Sequence, residues 1–164
     1  MILLRKGKEK DLIVIQEIAK ITWGSTYSGI LSQKQIDYML EKMYNQGVLM
    51  EQLLAGYDFL IAEIEAKDVA FASYSRLGDR EDAYKLHKLY VLPEAHGMGV
   101  GKLLINEVLD KVKEAGGKSL ELNVLRANKS VEFYKKAGFI IKETVSLDVG
   151  NGFLMEDYVM EKTI

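Results

Sequence analysis

Residues 84–101 read YKLHKLYVLPEAHGMGVG, and this stretch decides the fold. A run rich in β-formers, Tyr84 to Leu92, ends at the only proline of the chain, Pro93. Glycines then alternate at Gly97, Gly99 and Gly101, and a strongly helical segment follows at once. Glycine at such a junction permits positive φ and leaves room for a ligand against the main chain. The first helical turn aims its unpaired N–H groups at the same spot. The positive end of the helix dipole adds to the attraction for phosphate oxygens. The stretch therefore predicts a strand, an anion-binding loop and a helix, in that order.

Two common phosphate loops do not fit it. The dinucleotide fingerprint GxGxxG, counted from Gly97, places Lys102 where its last glycine belongs. Glu121 lies at the distance where that fingerprint wants an acid, but it reads as the middle of a strand. The GxxxxGK[ST] loop fails because Gly101-Lys102 is followed by Leu103.

Outward from this core, apolar periodicity gives the other elements. Residues 2–5 read as a short strand. Residues 9–22 read as a helix with Leu12, Ile15, Ile18, Ala19 and Thr22 on one stripe. Residues 23–31 (WGSTYSGIL) read as a loop. Ser32 and Gln35 form a capping box for a second helix, with Ile36, Met39, Leu40 and Met43 on its apolar face. Residues 48–55 read as a further short helix. Residues 58–65 and 69–75 read as a hairpin turning at Ala66-Lys67-Asp68, with a polar loop over 76–83 before the next strand. The helix after the glycines, about 102–115, stops at Gly116-Gly117. A strand at 118–125, a helix capped by Asn128 and stopped by Gly138, and strands at 139–147 and 153–162 complete the chain. The expected architecture is α/β: a mixed, mostly antiparallel central sheet flanked by helices on both faces, as a single domain over residues 1–164.

Composition narrows the function. The chain has 164 residues, 48% of them hydrophobic, enough for a sizeable core. A net charge of −2 without long basic runs argues against nucleic acid as a partner. The absence of cysteine excludes disulfides, cysteine-based zinc sites and a thiol nucleophile. His87 and His96 have no metal-ligand spacing, so no metal is expected. No apolar run reaches about 18 residues, so no membrane span is expected. The first residues become charged too soon for a signal peptide, and a cytoplasmic location is expected.

The loop His96-Gly97-Met98-Gly99-Val100-Gly101 has the form [Q/R]xxGx[G/A], preceded by LYVLPE (89–94) and followed by ANKSVEFYKKAGF (127–139). Over nearly the whole chain this resembles the GCN5-related N-acetyltransferases, whose loop holds the pyrophosphate of acetyl-CoA. His96 departs from the Gln or Arg usual there. Because backbone amides carry most of the phosphate binding, the departure implies a modest loss of affinity. The resemblance implies cofactor contacts from Leu89, Tyr90 and Val91, from His96 through Lys102, and from Asn128. Backbone groups of Leu89 and Val91 are expected to pair with the pantetheine arm, and a backbone N–H there to face the attacked carbonyl.

By the same resemblance Tyr134 is the general acid that protonates the departing sulfur. In some relatives a strand glutamate is the base, and its position here is Asn123. His87, placed by period two on the face of Leu89 and Val91, is the candidate base. Glu63, Tyr74, Tyr90 and water are further candidates. Trp23, Tyr27, Tyr38 and Asp157 are candidates to line the acceptor pocket, the first two by cation–π contact. The segment from Thr22 to Tyr44 resembles small bacterial acetyltransferases, some similar to polyamine acetyltransferases. This implies a small-molecule amine acceptor, polyamines among the choices, and the absence of cysteine favours direct attack in a ternary complex over a thiol acyl-enzyme. A protein or peptide N-terminus, a catalytically silent acyl-CoA sensor and a nucleotide-binding regulatory domain are the competing readings. The resemblance also allows a homodimer.

Overall fold

The computed structural model describes residues 1–164. Seven strands form one sheet: β1 (Ile2–Lys6), β2 (Asp58–Ile64), β3 (Lys67–Arg76), β4 (Ala83–Val91), β5 (Ser119–Leu125), β6 (Ile140–Gly150) and β7 (Phe153–Thr163). Their order is β1-β2-β3-β4-β5-β7-β6, and every neighbouring pair is antiparallel except β4 with β5. Five helices pack on it: α1 (Leu12–Tyr27), α2 (Gln33–Tyr44), α3 (Gln46–Leu54), α4 (Val100–Glu114) and α5 (Ser130–Lys136). The expected mixed sheet is present. Both α1 and α4 pack on β3 and β4, and they do so from opposite faces. Tyr90 meets α1 through Tyr27 and Trp23, whereas its neighbour Val91 meets Gly101 of α4. No helix is long and apolar enough to cross a membrane.

The expected loop at 23–31 is helix as far as Tyr27. Gly24 and Ser25 are weak helix formers, but Trp23 and Tyr27, one turn apart, are both buried and meet edge-on at 4.6 Å. That packing holds the last turn of α1 against local propensity. The hairpin after β2 turns one residue early, at Glu65-Ala66, both with positive φ, so β3 begins at Lys67. Half of the expected capping box is present: the Gln35 amide donates to Ser32 Oγ at 3.1 Å. The Gln35 side chain instead donates to the Leu154 carbonyl at 2.8 Å and ties α2 to β7.

Two features of β4 shape the site. It pairs with β5 over only four residues, Ala83–Leu86 against Ser119–Leu122. Beyond Leu86 the two strands separate. The separation begins where the β3–β4 register jumps: Ser73 lies opposite Lys88 and Tyr74 opposite Leu86, which leaves His87 as an extra residue. Such a bulge bends its strand and increases local twist, and here it turns β4 away from β5.

The return from α4 to β5 sets how α4 lies on the sheet. Val100, Leu104, Ile105, Val108 and Val112 form its fully buried stripe, and Gly116 ends it with φ +87°. Gly117 follows in close quarters: an added Cβ would stand 2.4 Å from Val112 Cγ1, 2.8 Å from Tyr84 Cδ1 and 2.9 Å from the Val112 carbonyl oxygen. Gly117→Ala is therefore expected to destabilise the protein by about 1–3 kcal/mol, measured as a lowered midpoint of urea unfolding.

Candidate active site

The gap between the diverging halves of β4 and β5 is a cavity of about 780 Å³, within the size range of small-ligand sites. The glycine loop stands at one end of it. Gly97 and Gly99 have φ +79° and +82°, and an added Cβ on either would meet nothing within 4 Å. The space in front of the loop is open, and the first amides of α4 are free to receive an anion. Lys102 and Lys129 also line the cavity. His96, the departure from the expected motif, is turned back onto the strand. Its Nε2–H donates to the Val91 carbonyl at 2.9 Å, closing the loop against the end of β4. Of the predicted cofactor contacts, all but Met98 line this cavity. Met98 is half exposed on the outer side of the loop.

The exposed edge of β4 faces the gap. His87 to Val91 have no partner in β5, while β5 continues to pair with β7 as far as Leu125. A polar chain entering the gap finds unpaired backbone N–H and C=O groups, which favour hydrogen bonding.

Tyr134 is 7% exposed, lines the cavity and packs edge-on against Phe133 and Phe139. Burial pushes its phenol well above the usual range, and no hydrogen bond within the protein opposes that shift. The group stays protonated and free to donate. Tyr27 shares its hydroxyl with Tyr90 at 3.2 Å, and Asn128 Nδ2 reaches the same oxygen at 3.5 Å. Asn128 Oδ1 accepts the Ser130 N–H at 2.8 Å. Asn128 thus serves the start of α5 as expected, from one residue before the cap position, which Lys129 occupies.

Two predicted residues are placed differently. The bulge takes His87 off the face of Leu89 and Val91. Its ring stacks on Tyr57 at 4.3 Å, and its Nε2 bonds Ser75 Oγ at 2.7 Å. Burial, with Lys88 and Lys85 adding to it, pushes its pKa down to about 3, which makes it a weak base. Tyr38 is outside the cavity lining. Its hydroxyl donates to the Val149 carbonyl at 2.7 Å and its ring lies 5.3 Å from Phe153, so it clamps α2 to the β6–β7 hairpin.

Trp23, Tyr27 and Asp157 do line the cavity. Asp157 is 6% exposed, and its Oδ1 is buried without a hydrogen-bond partner. Burial raises its pKa, against the smaller pull of Asn123 and Arg126. Asp157 is the sole carboxylate in the lining.

Lys88 is the residue that sequence reading missed. It is 4% exposed, and its Nζ donates to Gln52 Oε1 at 2.9 Å. Its ammonium lies 5.4 Å from the ring centre of Tyr44 and 6.0 Å from that of Tyr57. Burial pushes its pKa down to about 8. Alternation along the strand gave no signal for it: the bulge at His87 breaks the count from Leu86 and puts Lys88 on the face of Tyr90 instead.

The profile of the acetyltransferase (GNAT) family matches residues 16–139. A spermidine N(1)-acetyltransferase of Thermoplasma acidophilum is 28% identical over 159 residues, covering 93% of this chain and 94% of that protein. The crystal structure of the PaiA N-acetyltransferase from the same organism, in complex with coenzyme A, superposes with a TM-score of 0.85 at 26% identity, covering 100% of this chain and 99% of that one. A ribosomal-protein-alanine N-acetyltransferase from Brucella melitensis shares the fold, with a TM-score of 0.74 at 24% identity over 99% of both chains.

A buried carboxylate without a partner costs stability while it is charged. In the folded protein Asp157 holds its proton to a higher pH than in the unfolded chain, so its cost is present at neutral pH and vanishes once both states are protonated. Asp157→Asn is expected to raise the urea midpoint of the unliganded protein at pH 7, and the gain to shrink as the pH falls toward about 4, the ordinary range of a carboxyl.

Proposed function

The chain belongs to the acetyltransferase (GNAT) family, and from this we propose that it is an acetyl-CoA-dependent N-acetyltransferase for the primary amine of a small molecule, acting by direct attack in a ternary complex. The observation that carries the reading is the convergence of three things on one cavity: the open glycine loop, the unpaired edge of β4 and the free phenol of Tyr134. The coenzyme A complex of the T. acidophilum relative supports the donor, and the spermidine enzyme from that organism supports a small amine as acceptor.

The glycine loop and the first turn of α4, with Lys102 and Lys129 beside them, hold the phosphates. The edge of β4 from His87 to Val91 bonds the pantetheine arm as an added strand would. A backbone N–H of the same edge faces the carbonyl oxygen as negative charge develops on it. Bound acetyl-CoA supplies the activated acetyl group. Asp157 receives the acceptor's ammonium and takes one proton from it. Its raised pKa and its place beside Asn123 suit it better to this work than His87, whose basicity is too low. The amine nitrogen bonds to the carbonyl carbon as the carbon–sulfur bond breaks, Tyr134 Oη gives its proton to the departing sulfur, and the second proton shed by the nitrogen restores the phenol. The products are the N-acetylated amine and free coenzyme A.

The test is release of free thiol from acetyl-CoA across spermidine, spermine, amino acids, aminoglycosides and short peptides. With no cysteine of its own, the protein adds no background to a thiol reagent. Tyr134→Phe is expected to lower kcat by about 100- to 1000-fold with little change in the KM for acetyl-CoA. An unchanged kcat would remove Tyr134 from the mechanism.

A further inference from the structure

The cavity holds two buried charges of opposite sign that the protein leaves uncompensated. Asp157 belongs to no ion pair, and one of its oxygens has no hydrogen-bond partner. Lys88 likewise belongs to no ion pair. Its ammonium is met only by the neutral amide of Gln52 and the faces of two tyrosines. A buried charge is costly unless something pairs with it, and a lysine on a strand normally carries its ammonium to water. Both side chains line the same cavity.

Their places in the fold differ. Lys88 points between the ends of α2 and α3, to Tyr44 and Gln52, on the face of the sheet opposite α4 and away from the glycine loop. It is therefore set to meet the acceptor rather than the phosphates. Lys42 and Lys85 line the cavity as well, so one carboxylate stands among several cations. A polycation gains one favourable partner here and meets several like charges. A molecule with one amine and one carboxylate relieves both buried groups.

Resting on the acetyltransferase reading, we propose that the acceptor is a zwitterion, a small amine that also carries a carboxylate, with Asp157 taking its ammonium and Lys88 its carboxylate. The site is selective because it rejects a molecule that leaves either buried charge unpaired.

Matched acceptors test this directly. L-Lysine and cadaverine differ only in the carboxylate, as do L-ornithine and putrescine. In the thiol-release assay the amino acid of each pair is expected to have the higher kcat/KM, by about 10- to 100-fold, the range for a hydrogen bond to a charged group. In Lys88→Met, whose side chain keeps the apolar length, the KM for the amino acids is expected to rise and the two members of each pair to converge, while the KM for acetyl-CoA stays as in the wild type. Equal or better turnover of cadaverine and putrescine in the wild type would overturn the zwitterion while leaving acetyl transfer intact. Absence of thiol release from every acceptor, with acetyl-CoA bound, would overturn both.

Discussion

A strand edge inside a protein must find partners for its backbone N–H and C=O groups, and the second half of β4 does not find them in β5. The two strands share four residue pairs and then part. Everything at the site follows from that divergence. The extra residue at His87 bends β4 just beyond the last shared pair. The bend opens the gap between β4 and β5 and leaves a row of backbone groups along one wall. It also shifts the side chains of β4, so that His87 and Lys88 both come to lie against Tyr57. One inserted residue thus produces the cleft, its polar wall and the placement of a buried cation.

The remaining parts are arranged around this opening. Helix α4 leaves the end of β4 through glycines in left-handed conformation, and its amides face the mouth of the gap. His96 secures the loop by bonding the last carbonyl of the strand. On the far wall, α5 presents Tyr134 from its buried side. On β7, Asp157 comes up beside Asn123. A carboxylate is supplied to the same neighbourhood from the next strand, in a setting dry enough to raise its pKa.

Much of this was legible in the sequence, because glycines, proline and apolar period are local signals. The strand–glycine–helix junction and the order of elements along the chain followed from them, and Tyr134, singled out by the motif they frame, lines the cavity. What was misread depends on packing between distant segments. WGSTY has the composition of a loop, yet Trp23 and Tyr27 extend α1 because the core holds them. His87 was assigned a face by strict alternation, which a bulge interrupts, and no residue type in KLHKLYV announces the bulge. Tyr38 was read as a pocket aromatic because it stands on α2 near that region, but its hydroxyl is committed to Val149. Lys88 escaped notice because a lysine in a strand is usually solvated, and only the surroundings of α2 and α3 show it buried.

The central claim is that the unpaired half of β4 is the binding edge for the donor. Amide hydrogen exchange of the wild-type protein, with and without coenzyme A, addresses it residue by residue. The account predicts that coenzyme A slows exchange over residues 87–91 of β4 together with residues 97–102 of the loop and α4. Slowing confined to other surfaces, with β4 unchanged beyond Leu86, would contradict it.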